Sequence, residues 1–240
     1  MNVSVAMATY NGAKYLREQI ESVLNQLNMG DELIISDDGS TDETVNIINS
    51  YTSDKRVYFY KNPSKVKGVI TNFENAISMT TQEIVFLCDQ DDVWLPNKIS
   101  RMCLEFENSK VGLVISSVRT VDAHLNDVQD TPLNKGHYKR GVARNLIKNT
   151  YMGCCMAFRR ELKEVVIPFP KNIPMHDSWI GMLAELNEIN ISYIPEKLML
   201  YRRHSNSVIV NNKTNLLKKM NERYRLFYNL CLRQIHLKIF

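Results

Sequence analysis

Ile84-Val85-Phe86-Leu87-Cys88-Asp89-Gln90-Asp91-Asp92 is the stretch that decides the fold. Its apolar half has no alternation, the pattern of a strand covered on both faces, as in a parallel sheet. Its polar half places four oxygen-bearing side chains at the carboxyl end of that strand, where open α/β sheets bind ligands. Clustered carboxylates at such an edge suit a hard cation. Mg²⁺ and Mn²⁺ prefer oxygen ligands, and Mg²⁺ is commonly held by one or two carboxylates with substrate phosphates completing its shell. The plain alternative is a solvated acidic loop, since Asp-x-Asp is short and common.

Upstream, the pattern alternates. Val3 to Ala8 reads as a buried strand, and Leu16, Ile20, Val23, Leu24 and Leu27 then recur at helical spacing. Leu33 to Ser36 is the next strand, and Ser40 with Glu43 has the form of a capping box for a helix carrying Val45, Ile47 and Ile48. Val57 to Tyr60 is a third strand, and Gly68 to Met79 a helix with Ile70, Phe73, Ala76 and Ile77 on one face. This alternation predicts a parallel, doubly wound sheet.

Downstream, a helix is expected from Pro96 to about Glu107, a strand over Val111 to Val121, another over Cys155 to Arg159, and a helix over Asp177 to Leu186 behind Pro174. Asp122 to Gly141 reads as polar and turn-rich, and Tyr201 to Val210 as a loop. Beyond it, Leu216, Met220, Tyr224, Phe227 and Cys231 trace one side of a basic helix. The expected organisation is one domain over 1–210, with a nucleotide-binding half (1–95) and an acceptor-binding half (96–210), followed by a basic amphipathic helical tail over 211–240.

The 240 residues carry a net charge of +4, yet Lys213 to Phe240 alone holds seven Lys/Arg against Glu222, a surplus of six, which leaves the remainder at −2. That asymmetry argues against a nucleic-acid binder and for a tail with a separate role, such as peripheral contact with a membrane surface through 213–240. Five cysteines without C-x-x-C spacing indicate neither a disulfide framework nor a zinc site. With no signal-like start and no long apolar run, the chain reads as cytoplasmic, with peripheral contact at the inner face of the membrane open to it. The helical pattern is unbroken at Phe240, which is compatible with a longer native chain.

Three loops leave successive strand ends: Thr9-Tyr10-Asn11-Gly12, Asp37-Asp38-Gly39-Ser40, and Asp89 to Asp92. In a parallel sheet they open on one edge, bringing together a ring that can stack on a base, an acid that can accept from a pyrimidine N3–H, and a cation site. That set suits a nucleoside diphosphate. Tyr10 packing the rim and one of Asp37 and Asp38 capping the next helix are the structural alternatives. Neither G-x-G-x-x-G nor a Walker-type loop is present, so pyrophosphate must be met by metal and side chains.

Val5-Ala6-Met7-Ala8-Thr9-Tyr10-Asn11-Gly12, Ile35-Ser36-Asp37-Asp38-Gly39-Ser40-Thr41-Asp42 and Phe86-Leu87-Cys88-Asp89-Gln90-Asp91-Asp92-Val93-Trp94-Leu95-Pro96 together resemble the successive signatures of glycosyltransferase family 2, across about residues 3 to 210. The resemblance implies a GT-A fold, a Rossmann-like, mostly parallel sheet flanked by helices, with a C-terminal helical tail. It implies inverting transfer of a sugar from a nucleotide diphosphate sugar to a saccharide or lipid-linked saccharide in surface polysaccharide synthesis, assisted by Mg²⁺ or Mn²⁺. By this resemblance Ala8, Thr9, Tyr10, Asn11, Asp38 and Gln90 belong to the nucleotide site, and Asp91, Asp89 and His204 to the metal, with Asp92 as a further candidate.

Asp177 takes the place of the base, in a His176-Asp177 pair where the family has Glu-Asp. Gly153, His176, Trp179, Arg202 and Arg203 are candidates for acceptor or diphosphate contact, with Trp179 as a flat surface for a sugar ring. The wording around Asp89 and His176 is similar to rhamnosyltransferase-type members, which implies dTDP-rhamnose as donor, with UDP-hexoses open. A non-catalytic sugar-nucleotide-binding protein is the alternative, and a haloacid dehalogenase-type phosphatase the lesser one, since its Asp-x-Asp follows a first strand.

Overall fold

The computed structural model describes residues 1–128, 138–204 and 215–239. Eight strands form one sheet: β1 (Val3–Thr9), β2 (Glu32–Asp37), β3 (Val57–Lys61), β4 (Ile84–Cys88), β5 (Val93–Trp94), β6 (Val111–Val121), β7 (Met156–Arg159) and β8 (Asn190–Arg202). Its order is β3-β2-β1-β4-β7-β6-β8-β5. Every residue of β1, β2 and β4 is buried, as expected of unalternated apolar strands with both faces covered. The first four strands pair in parallel. After β4 the expected parallel winding stops: β7 enters antiparallel between β4 and β6.

The helices are α1 (Ala13–Leu24), α2 (Thr44–Asn49), α3 (Val69–Met79), α4 (Lys98–Glu105), α5 (Val142–Ile147), α6 (Glu161–Val166), α7 (His176–Leu186) and α8 (Leu216–Ile239). The chain runs outward through β1, β2 and β3, then returns to place β4 on the other side of β1. That reversal opens a crevice beyond the carboxyl ends of β1 and β4, and it positions the site.

Several local expectations change. Ser40 does not box the next helix: α2 begins at Thr44, and Ser40 turns back to Asp37. Tyr201 and Arg202 are strand rather than loop, because β8 extends along β6 through three register shifts and ends against β5. Arg203 and His204 are loop as expected, and 205–210 lie outside the described residues, as do 129–137 of the turn-rich stretch, 211–214 and Phe240. On α8, Met220, Tyr224, Phe227 and Cys231 are exposed, while Leu226 and Leu230 are the buried residues. The helix carries two apolar stripes, and spacing alone could not say which one docks.

Candidate active site

The loops after β1 and β2 are stitched together by side chains. Thr9 is buried, and its hydroxyl donates to Asp37 Oδ1 at 3.0 Å. Asn11 adopts φ 45°, a conformation asparagine tolerates better than most residues; its N–H donates to Ser40 Oγ and its Oδ1 accepts from Thr41 N. Asp37 closes the second turn by accepting from the N–H groups of Gly39 and Ser40. The Thr9 and Asn11 side chains thereby tie the two loops together. Ala8, Thr9 and Tyr10 line the cavity, with Tyr10 55% exposed at the rim.

Asp38 is buried and held from two sides, accepting from Asn62 Nδ2 at 2.7 Å and from the Gly68 N–H at 2.6 Å, with Lys67 Nζ 3.8 Å away. Four lone-pair positions on a carboxylate leave capacity for a ligand donor beyond these two bonds. Gly68 at φ 143° occupies a region closed to most side chains, so this cradle requires glycine there. Lys67, Gly68 and Asn72 also line the cavity and were missed in the sequence. Asn72 carried a signal, a polar side chain on the inward face of α3, and it donates to the Thr9 carbonyl at 2.9 Å.

The acidic loop divides its labour. Asp91 meets His204, with Oδ2 2.8 Å from Nε2. Asp92 is fully buried; its Oδ1 accepts from the Arg202 N–H at 3.0 Å and its Oδ2 has no protein partner. Asp89, Asp92 and Cys154 bring possible ligand atoms within 4.8 Å of one another. Burial first, and then the charges of Asp91 and Asp177, push the Asp89 carboxyl up to about 7. Burial likewise holds Asp92 well above the ordinary carboxylate range, with Asp91 and Asp89 adding to it. Crowded carboxylates with an orphaned buried oxygen fit a divalent cation. Its charge would relieve the repulsion, and oxygen donors suit Mg²⁺ or Mn²⁺. The Cys154 thiol, raised by its bond with Cys155 and by burial, stays protonated and is the poorer ligand.

Gln90 lines the cavity and is anchored to the loop after β1. Its Oε1 accepts from the Tyr10 N–H at 2.8 Å and its Nε2 donates to the Tyr10 carbonyl at 3.0 Å, which occupies both ends of the amide. Arg202 is also committed. Its guanidinium donates to the carbonyls of Asp91 and Ala123 and pairs with Glu18, so it braces the acidic loop at the cavity wall. The exposed Arg203 is bound to the fold through its N–H to Val121, and its side chain is not among those lining the cavity.

Asp177 stands in the first turn of α7 and is buried. It accepts from Asn149 Nδ2 at 3.2 Å and from its neighbours' N–H groups at Ser178 and Gly153, yet burial dominates and pushes its carboxyl up to about 6. Gly153 serves close approach: a Cβ there would lie 2.5 Å from His176 Nε2. The His176 ring is stacked on Phe73 at 4.0 Å, sealed, and without a partner for either nitrogen; burial lowers it to about 3, so it stays neutral. Trp179 is corrected outright. It is fully buried, donates its indole N–H to the Val166 carbonyl at 2.9 Å, and presents no surface to a sugar.

Asp89, Asp91 and Asp177 nevertheless open on one cavity of about 780 Å³, together with Tyr10, Asp38 and Gly153. One sheet edge thus joins an aromatic rim, an acid cradled by Asn62 and Gly68, the carboxylates of Asp89 and Asp91, and the buried Asp177. The family model for glycosyl transferase family 2 matches residues 4–166, and the chain belongs to that family. An uncharacterized glycosyltransferase of Nostoc is 28% identical over 70% of this chain, and the match spans 54% of that protein. The dTDP-rhamnosyl transferase RfbG of Shigella flexneri is 26% identical over 86% of this chain and 74% of its own length.

Among solved structures, Staphylococcus aureus TarS 1–349 in complex with UDP-GlcNAc superposes with a TM-score of 0.77 at 18% identity, over 97% of this chain and 66% of that one. A mannosyltransferase of Pyrobaculum calidifontis, solved with GDP-Man and Mn²⁺, gives 0.66 at 19% identity, over 85% of this chain and 58% of that one. The fold is GT-A, with a curled eight-stranded sheet flanked by helices and a C-terminal helix. Among the described residues no helix is long and apolar enough to cross a membrane.

Proposed function

We propose that this chain is a metal-dependent inverting glycosyltransferase that moves a sugar from a nucleotide diphosphate donor to a hydroxyl of a saccharide or lipid-linked saccharide acceptor. The observation that carries the reading is the single cavity onto which Asp91 and Asp177 both open. In an inverting displacement the acceptor oxygen attacks the anomeric carbon opposite the departing diphosphate. The proton acceptor must therefore lie across the cleft from the groups that hold that diphosphate. Asp89, Asp91 and Asp92 would hold Mg²⁺ or Mn²⁺, with His204 supporting Asp91. When bound, the ion supplies positive charge to the leaving diphosphate.

This chain's own residues do the rest. Tyr10 stacks on the base, Asp38 accepts from it, and the 1–95 half binds the nucleotide while the 96–210 half receives the acceptor. Asp177 takes the acceptor hydroxyl proton on a carboxylate oxygen. Its raised pKa makes it a stronger base that is still ionised above pH 6. One general base supplies about 10²- to 10⁴-fold, so positioning and charge neutralisation provide the larger share of an enzymatic rate.

dTDP-rhamnose is the first donor to try, by likeness to the Shigella protein, with UDP-hexoses and GDP-mannose beside it. The test is a thermal-shift screen of these donors with and without Mn²⁺, using Asp91→Ala as control. Donor stabilisation should require Mn²⁺ and vanish in the variant. Equal shifts in Asp91→Ala and wild type would remove Asp91 from the metal.

A further inference from the structure

The helix α8 has two opposed apolar faces, and only one of them is used. Leu226 and Leu230 are buried, Arg233 donates to the carbonyls of Val165 and Ile167, and its guanidinium lies 5.4 Å from the centre of the Trp179 ring. At 100° per residue these three side chains cluster on one side. Leu217, Met220, Tyr224, Phe227, Tyr228 and Ile235 fall on the opposite side, and each is between 52% and 73% exposed. The stripe runs over 18 residue steps, about 27 Å at 1.5 Å each. A continuous apolar face of this length marks a docking surface, because scattered single exposures are the ordinary pattern.

Charge selects the occupant. Lys218 and Arg225 lie along one edge of the stripe and Lys238 at its end, all exposed, while the single carboxylate of α8, Glu222, is on the docked side. Two copies of such a helix pairing through this face would bring like charges together with no acid to offset them. Two tyrosines and a phenylalanine flanked by cations suit the boundary between lipid headgroups and acyl chains, where ring bodies bury and polar tips stay wet. We propose that α8 lies in the plane of an anionic lipid surface, its Leu217–Ile235 face inserted among the acyl chains and its Leu226–Arg233 face against the protein. This surface is separate from the cavity and does not depend on the catalytic reading.

The test is cosedimentation of the full chain with vesicles of phosphatidylcholine containing 30 mol% phosphatidylglycerol, and of phosphatidylcholine alone. Binding should be roughly a hundredfold weaker on the neutral vesicles and should fall with added salt, since each of the three cations near an anionic surface contributes about fivefold. Phe227→Asp should weaken binding at least tenfold with little change in melting temperature, because that ring is 52% exposed on the side away from Leu226 and Leu230. Arg225→Glu should weaken binding to the anionic vesicles alone. Wild-type chain left in the supernatant, or Phe227→Asp sedimenting like wild type, overturns the proposal. So does a lipid-free dimer, seen by sedimentation velocity, that Phe227→Asp dissolves, for then the face belongs to a second copy.

Discussion

Asp177→Asn should separate stability from catalysis in opposite directions. The folded protein raises this carboxyl from 3.8 to about 6, chiefly through burial, and that shift corresponds to about 3 kcal/mol. The sign follows from which state binds the proton. With the folded pKa above the unfolded one, the native state is favoured by the bound proton at low pH. That advantage is present below pH 3.8 and is lost as pH rises through about 6. Above it, the ionised carboxylate is a cost that the native state carries.

Asparagine has no charge to bury. Its Oδ1 can still accept from Asn149 and Ser178, but an amide NH₂ turned toward Gly153 loses the bond from that N–H, so the net gain at pH 8 is about 2 kcal/mol. For a chain of this size that is a rise in Tm of roughly 4–8 °C at pH 8, shrinking toward zero near pH 4. Calorimetric scans at the two pH values measure it. Transfer by the same variant should fall about 10²- to 10⁴-fold, with Mn²⁺-dependent donor binding intact, and wild-type kcat should climb through an apparent pKa near 6. An Asn variant that is less stable at pH 8 and still transfers sugar would refute both the buried-charge argument and the assignment of the base.

Trp179→Phe should lower stability by about 1–2 kcal/mol, through the lost bond to Val166 and the smaller ring, while donor and acceptor KM stay at wild-type values. A selective rise in acceptor KM would return the indole to the substrate site. Arg202→Ala should cost about 2–4 kcal/mol in urea unfolding by orphaning the carbonyls of Asp91 and Ala123, and should weaken Mn²⁺ affinity in calorimetry because the acidic loop loses its brace. Unchanged stability and Mn²⁺ affinity would assign the guanidinium no role in that loop.

The first four strands were legible because each is an apolar run ending in turn or acidic residues, and a period of two or none is a local signal. The edges of the sheet were not. β5 is two residues long, and β8 contains Pro195 and three charged residues, so its strand character comes from pairing with β6 and β5 rather than from its own pattern. The loops that form the site were found by their place after strands, and Tyr10, Asp38, Asp89, Asp91 and Asp177 do share a cavity.

What spacing could not assign was direction. Thr9, Gln90 and Arg202, which line the cavity, and Asn11 beside it make hydrogen bonds to other loops that spacing does not show. A sequence gives the donors and acceptors but not which of them are already spent. Trp179 was misread for a related reason: α7 is buried from His176 to Ala184, so an aromatic beside a carboxylate was core rather than platform.

Gln90 links the rim and the floor of the crevice. Its carboxamide bonds the backbone of Tyr10 in both directions, as a neighbouring strand would, and it fills the space that a side chain at residue 12 would need. A displacement of the acidic turn when its negative charge is compensated would drag the aromatic lid with it through two short, nearly rigid tethers. With the base on Tyr10 and the cation on the acidic turn, as proposed, the two affinities would be coupled, and Gln90→Asn should let each vary independently of the other.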